Sequence, residues 1–255
     1  MSPPLSVFLD ACVLKASADT RLVFRPERQI IQWGNREIEA NIHRPVYANQ
    51  NIKYLNQGKQ GRFQDTIALR YIAALAKERK ISLLSHAEVN FELMGLPRSK
   101  GKGPYFYGAP IQNIEGPFQY ERIFVDFTGR DHQFEFLCSV KHPRFLELQR
   151  ACGAFQGHDR LPNRNQLIDA FHLLCAESAN ASYFLTLDDK LIRILSNHPK
   201  VKTKVICITP QLFLDIQLRK HPTWLWPMIK ERWRLFRSGR KLGQAFQDAS
   251  KDFFR

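Results

Sequence analysis

Short apolar runs alternate along this chain with stretches whose apolar residues recur at helical spacing. Leu5–Leu9, Ile81–Leu84, Tyr183–Thr186 and Lys204–Ile208 contain runs short enough to be buried strands. Between them, Ile67, Tyr71, Ala74 and Leu75 mark a helix over 64–80, and Val89 and Leu93 mark one over 86–95 that opens behind Ser85 with acids in its first turns. Leu167, Phe171, Leu174, Cys175 and Ser178 mark a helix over 165–179, followed by helices over 190–196 and 211–218, the last started by Pro210. Ala11–Ala16 either begins a helix or simply leaves the first strand. Strands alternating with helices predict an α/β fold, a parallel central sheet flanked by helices in α/β/α layers.

Two regions interrupt the alternation. In the first, Leu22–Phe24 and Gln29–Trp33 are strand-like, Gly34-Asn35 makes a turn and Glu37–Ile42 alternates, which predicts a hairpin or small sheet. Residues 49–61 then read as a polar loop. The second starts with a basic connection over 97–103 and continues through aromatic, irregular sequence over 104–136. There Arg122–Phe127 and Gln133–Phe136 suggest another hairpin, before a short helix over 145–154 and a loop over 156–164.

Composition narrows the partners more than the fold. The 255 residues are 44% hydrophobic and 12% aromatic, enough for a full core. Lys and Arg number 38 against 24 acids, a formal charge of +14, and the pI is near 9.8. Such a balance suits a polyanion, because Lys and Arg displace counterions from phosphates. Half of that excess lies in residues 219–255, where ten Lys or Arg face three acids and three of the four Trp residues are found. A basic aromatic helix of this kind suits nucleic acid, a membrane surface or a partner protein, and equally a docking helix with a solvated face. The five cysteines form no CxxC pair, so neither a zinc site nor a disulfide framework is expected. With no signal peptide and no long apolar run, the expectation is a protein without membrane spans in the cytoplasm.

The acids give the pattern its chemistry. Asp10 ends the first strand and Asp188 follows the 183–186 strand, so parallel strands would bring both to one sheet edge, where ligand sites form in open α/β sheets. Glu88, Glu92 and Asp169 lie on flanking helices. Carboxylates gathered there would repel one another unless a cation neutralised them, and oxygen-only ligands suit Mg²⁺ or Mn²⁺. Each acid also has a structural explanation: Asp169 as a charge near a helix start, and Asp188 or Asp189 as the N-cap of the next helix. Asp10 is harder to explain that way.

The stretches VFLDACVL, SHAEVNFELMG, LIDAFHLLCAESANASYFLTLDD and VICITPQLFL resemble the successive motifs of the PIN domain, found in ribonucleases that include the VapC-type toxins. The matching residues are Asp10 at the end of the first strand, Glu92-Leu93 on a helix, Asp169-Ala170, Thr186-Leu-Asp188, and Thr209-Pro210 after the closing strand. The resemblance implies that Asp10, Glu92, Asp169 and Asp188 are catalytic metal ligands for Mg²⁺ or Mn²⁺, with Asp189 an auxiliary acid. Glu88 lies one turn before Glu92 and remains an alternative to it. Thr186 either orients Asp188 or a water, or merely favours the strand. His172 reads foremost as a helix-surface histidine, with a supporting donor role as the alternative. Relative to a minimal PIN domain the chain is about twice as long. Residues 1–218 would form the nuclease domain with β-rich insertions near 17–62 and 97–144, and 219–255 a basic helical extension.

The expected activity is metal-dependent hydrolysis of RNA phosphodiester bonds. Four rivals stay open at this level: a toxin controlled by a small antitoxin protein, a DNA-directed nuclease, a binding protein that kept the fold without cleavage, and general solubility as the reason for the charge.

Overall fold

Val7, Phe8 and Leu9 are fully buried, as strand residues covered on both faces must be. Around them the computed structural model describes residues 4–17, 20–33, 36–49, 60–92, 106–118, 129–155, 161–198, 201–227 and 229–230. The elements run β1 (Leu5–Leu9), α1 (Ala11–Ala16), β2 (Thr20–Trp33), β3 (Arg36–Asn49), α2 (Gln60–Lys77), β4 (Ile81–His86), α3 (Ala87–Glu92) and β5 (Ile111–Ile114). They continue with α4 (Gly129–Ser139), α5 (Pro143–Ala151), α6 (Arg164–Ser178), β6 (Tyr183–Leu185), α7 (Asp189–Ser196), β7 (Ile206–Ile208) and α8 (Pro210–Lys220).

Five strands form one sheet in the order β5-β4-β1-β6-β7, and every pairing in it is parallel. Helices flank this sheet, so the α/β architecture with a parallel centre stands. Phe8 lies beside Phe184 in the β1–β6 register, their rings stacked 5.6 Å apart. Ile72 and Leu75 of α2, Leu173 and Leu174 of α6, and Phe213 of α8 close the core over the strands. Among the described residues no helix is long and apolar enough to cross a membrane.

Local chemistry fixes the ends of the helices around the sheet. The side chain of Asn163 accepts from Gln166 N to cap α6, and Asp188 accepts from Leu191 N to cap α7. Thr209 caps α8, with Pro210 in its first turn. Near the carboxyl end of α6, the buried carboxylate of Glu177 accepts from Arg144 Nε and Nη2, both at 2.8 Å, and from Lys204 N at 2.8 Å. The paired charge holds the Arg144 guanidinium well above its ordinary range. Glu177 is thus an acid whose burial is matched by donors, and its role is to pin α5 and the β7 approach to α6.

Several boundaries and two segments differ from the sequence reading. The first hairpin is real and longer than expected, with β2 and β3 pairing antiparallel from Thr20↔Asn49 to Trp33↔Arg36. The second proposed hairpin is not formed as expected, because Gln133–Phe136 lies inside α4. Phe134 and Phe136 alternate with polar residues, which imitates a strand, but Gln133 and Leu137 are the buried positions, one helical turn apart. The region 97–144 is therefore not β-rich where described: it holds one strand, β5, a 3-10 turn at Phe106–Gly108, α4 and the start of α5. The sequence reading missed β5, whose Gln112 and Asn113 are exposed at the sheet edge. Ala11–Ala16 is helical, and α2 starts at Gln60 inside the expected loop. The basic connection at 97–103, the strand expected at 122–127, most of the 49–61 loop, Leu93 and the tail beyond Lys230 lie outside the described residues.

Removing the Arg144 side chain leaves Glu177 buried with only one donor. Arg144→Ala should lower unfolding stability by about 3 kcal/mol, the scale for breaking a buried pair from one side. Urea denaturation of the full chain checks it, and a change below 1 kcal/mol would mean that the pair does not tie α5 to α6.

Candidate active site at the carboxyl end of the sheet

β1 and β6 are adjacent and parallel, so the residues that follow them emerge together. Asp10 N donates to Leu185 O at 3.1 Å, which carries the strand ladder one residue further and fixes Asp10 beside Thr186. The Asp10 carboxylate is buried and well supplied with donors. Ala11 N reaches Oδ1 at 2.7 Å, the Thr186 hydroxyl reaches Oδ2 at 2.7 Å, and the Cys12 thiol reaches Oδ2 at 2.9 Å. Burial opposes its charge, yet the His172 imidazole, Cys12 and Thr186 hold its pKa below the usual aspartate value. Thr186 is fully buried and also accepts from Asp188 N at 3.0 Å, so one hydroxyl couples the loops carrying both acids.

The remaining acids enter from helices. Asp169 sits in the second turn of α6 and has no hydrogen-bond partner among the described residues. Burial first, and then the charges of Asp10, Asp188 and Glu92, push its pKa up to about 7, against the opposing pull of His172. The other three acids matched to the family motif therefore act on the Asp169 carboxyl group. Glu92 ends the described part of α3, with one oxygen 3.2 Å from Lys15 Nζ and the other buried without a hydrogen bond. Asp188 spends Oδ1 on capping α7, so its structural role is present alongside its place at the sheet edge.

The auxiliary residues divide. Thr186 joins Asp10, as described. Asp189 is exposed and pairs with Arg62 Nη2 at 2.8 Å. Glu88 is buried and turned to Gln133 Nε2 of α4, which takes it out of the group around Asp169. His172 corrects the surface reading: it is 1% exposed, with Nδ1 3.5 Å from Asp10 Oδ1 and Nε2 3.5 Å from Glu92 Oε1. Those are ion-pair separations, too long for hydrogen bonds. The two carboxylates raise the imidazole pKa against the effect of burial.

Four participants escaped the sequence reading. Cys12 supports Asp10 and accepts from Leu187 N at 3.1 Å; burial and the Asp10 charge push its pKa well up, so it remains a thiol donor. Lys15 lies five residues after Asp10 and pairs with Glu92. Arg62 reaches Asp189 across the sheet end. Asp65, one turn further on α2, is buried, accepts from Gln211 N at 3.0 Å, and has its pKa raised by burial, with Asp189 adding to the shift. Only the i, i+3 spacing of Arg62 and Asp65 offered a signal, and it does not reveal a partner more than a hundred residues away.

Comparison of the chain with protein-family models, curated proteins and solved structures gave no match. Geometry alone must then say what this group can do. Among the described residues, no three His, Cys, Asp or Glu side chains are arranged to hold a metal ion as they stand. Lys15, His172 and Arg62 instead pair with Glu92, Asp10 and Asp189. The donor chemistry still fits a hard divalent cation: carboxylates in one shared field, a buried Glu92 oxygen with no donor, and Asp169 held partly neutral for want of positive charge.

The raised Asp169 pKa sets a stability dependence. Between the ordinary aspartate value of 3.8 and about 7 the folded state holds a proton that the unfolded chain has lost. This contribution is therefore greatest at low pH and declines as pH rises through that window. In metal-free buffer, Asp169→Asn should flatten the fall in unfolding stability between about pH 4 and pH 7 and raise stability at pH 8. An unchanged slope in thermal denaturation across that range would show that Asp169 does not titrate as the surrounding acids require.

Proposed function

We propose that this protein is a PIN-like, metal-dependent endoribonuclease, with the ribbon of β2 and β3 and the segment between α3 and α5 as elaborations of the nuclease domain. The observation that carries the reading is the common field of Asp10, Glu92, Asp169 and Asp188 on the carboxyl edge of a parallel sheet. The formal charge of +14 also suits a polyanionic substrate.

Asp10, Glu92, Asp169 and Asp188 would hold Mg²⁺ or Mn²⁺, which supplies charge neutralisation and an acidified water when bound. The chain's own contribution is positioning. Backbone Ala11 N, Thr186 and Cys12 immobilise Asp10, while Thr186 ties its position to Asp188. Asp169 is the acid whose protonation the site most readily changes. Lys15 and Arg62 lie at the rim, paired with Glu92 and Asp189, and carry the chemistry that binds phosphate oxygens. Water attack at phosphorus in line with the 3′ oxygen would leave 5′-phosphate and 3′-hydroxyl ends, as in the family the motifs resemble.

Purified protein with Mn²⁺ should cut generic single-stranded RNA, lose activity in excess chelator, and lose it at least about a hundredfold in Asp10→Asn and in Asp169→Asn, with RNA binding retained. Gel analysis of end-labelled RNA, with a DNA strand of the same sequence alongside, measures this. Wild-type rates in both variants would overturn the assignment, and cutting of the DNA alone would change the substrate.

A further inference from the structure

Across β4, β1 and β6 one rung of the central sheet is made of serine. Ser82 pairs with Ser6, and Ser182, whose N donates to Ser6 O at 2.9 Å, stands on the other side of it. Residues in register share a face of the sheet, and alternate residues return to it. Two positions further along, that face carries Leu84, Phe8 and Phe184, all buried in the core. At the serine rung the face is only half covered, and a cavity of about 740 Å³ opens over it. That volume lies in the range of small-molecule sites. Ser6 precedes Asp10 by four residues, roughly 13 Å at the rise of a strand, so the cavity is separate from the acid site.

Most polar groups lining the cavity are uncommitted. Ser6 Oγ is in use: it donates to Asn180 O at 3.1 Å and accepts from Ser182 N at 3.2 Å. The Ser82 and Ser182 hydroxyls, the Gln112 and Asn180 amides and the Glu115 carboxylate make no hydrogen bond to the described residues. Charge then sorts the ligands. The chain has 38 Lys and Arg, yet none lines the cavity among the described residues, and the one charged side chain there is Glu115. A phosphate or carboxylate would find no counterion. No aromatic ring lines the space either, so a nucleobase would lack a stacking partner. The long helix α6 presents its carboxyl end there at Ala179 and Asn180, the pole of the helix dipole that favours a cation. Asn180 O is held beside β1, two strands from β5, which Glu115 follows; the two acceptor poles are thus roughly 10 Å apart across the sheet. Leu84 and Ile114 add apolar surface.

We propose that this cavity binds a linear aliphatic polyamine, with one ammonium group at Glu115, another at the carboxyl end of α6, and the methylene chain over Leu84 and Ile114. The serine hydroxyls and the Gln112 amide oxygen accept the remaining N–H groups. Serine at Ser82 and Ser182 serves this twice: it leaves open a face that larger apolar residues close two positions further on, and it supplies acceptors. The inference stands apart from the nuclease reading, since it uses none of the acids of that site.

The test is isothermal titration calorimetry of spermidine into the metal-free full chain. Saturable binding of one equivalent is expected, although a chain of charge +14 repels a polycation at long range. Glu115→Gln should weaken it about tenfold, the scale of one charge-assisted hydrogen bond. Ser82→Leu, which fills the cavity, should weaken it further. Glu115 is exposed, so thermal unfolding of Glu115→Gln should match the wild type, and that variant keeps the test readable if Ser82→Leu fails to fold. Spermidine acetylated at both ends has lost its terminal charges and should bind at least about tenfold more weakly. Asp10→Asn should leave spermidine affinity unchanged. A wild-type protein that binds no spermidine, wild-type affinity in Glu115→Gln, or equal binding of the diacetylated form overturns the proposal. So does loss of binding in Asp10→Asn with Glu115→Gln unaffected, which assigns the polyamine to the acid site. Spermidine bound through Glu115 by a protein that cuts no RNA in Mn²⁺ would sustain this inference and sink the nuclease reading.

Discussion

A carboxylate buried at the end of a central strand must be matched by donors, and the surroundings of Asp10 show how this chain meets that demand. The backbone of α1, the Thr186 hydroxyl and the Cys12 thiol all converge on its two oxygens. These contacts join β1 to β6 at the sheet's carboxyl edge and set the geometry from which Asp188, Asp169 and Glu92 are approached. Glu177 makes a useful contrast. It is just as buried, but a bidentate arginine and a backbone amide satisfy it, and it serves to hold elements together. Less well provided for are Asp169, whose carboxyl group is pushed toward the neutral form by burial and the neighbouring acids, and the Glu92 oxygen buried without a hydrogen bond.

The cations around the nest explain how it is tolerated. His172 lies between Asp10 and Glu92, Lys15 takes the other Glu92 oxygen, and Arg62 takes Asp189. His172 is shared between two acids, while Lys15 and Arg62 lie at the rim. Positive charge is thus borrowed from side chains that have polyanion chemistry open to them.

Much of the framework was legible because it follows from local pattern. Leu5–Leu9 and Tyr183–Leu185 are apolar runs too short for helices, and the capped, periodic stretch after Asn163 has few alternatives to a helix. The edge strand Ile111–Ile114 was not legible, because the exposed Gln112 and Asn113 erase the apolar run. Gln133–Phe136 misled for a related reason: two aromatics at alternate positions satisfy strand period over four residues, and only the longer i, i+4 pattern of Gln133 and Leu137 decides for the helix. The site was legible as a set of acids and illegible as an arrangement. His172 looked like a surface residue because polar side chains usually are, and its burial depends on α6 packing against the ends of β1 and α3. Cys12, Lys15 and Arg62 acquire meaning only through partners as far as 175 residues away in the chain.

The central claim is that Asp10, Glu92, Asp169 and Asp188 form one cation site, and Mn²⁺ binding tests it most directly. Electron paramagnetic resonance of free Mn²⁺ titrated into the metal-free full chain at neutral pH should show saturable loss of the aqueous signal. That loss should be greatly reduced in Asp10→Asn and in Glu92→Gln, while Glu177→Gln leaves it intact. An aqueous signal that is undiminished by the wild-type protein, or diminished equally by every variant, would contradict the account.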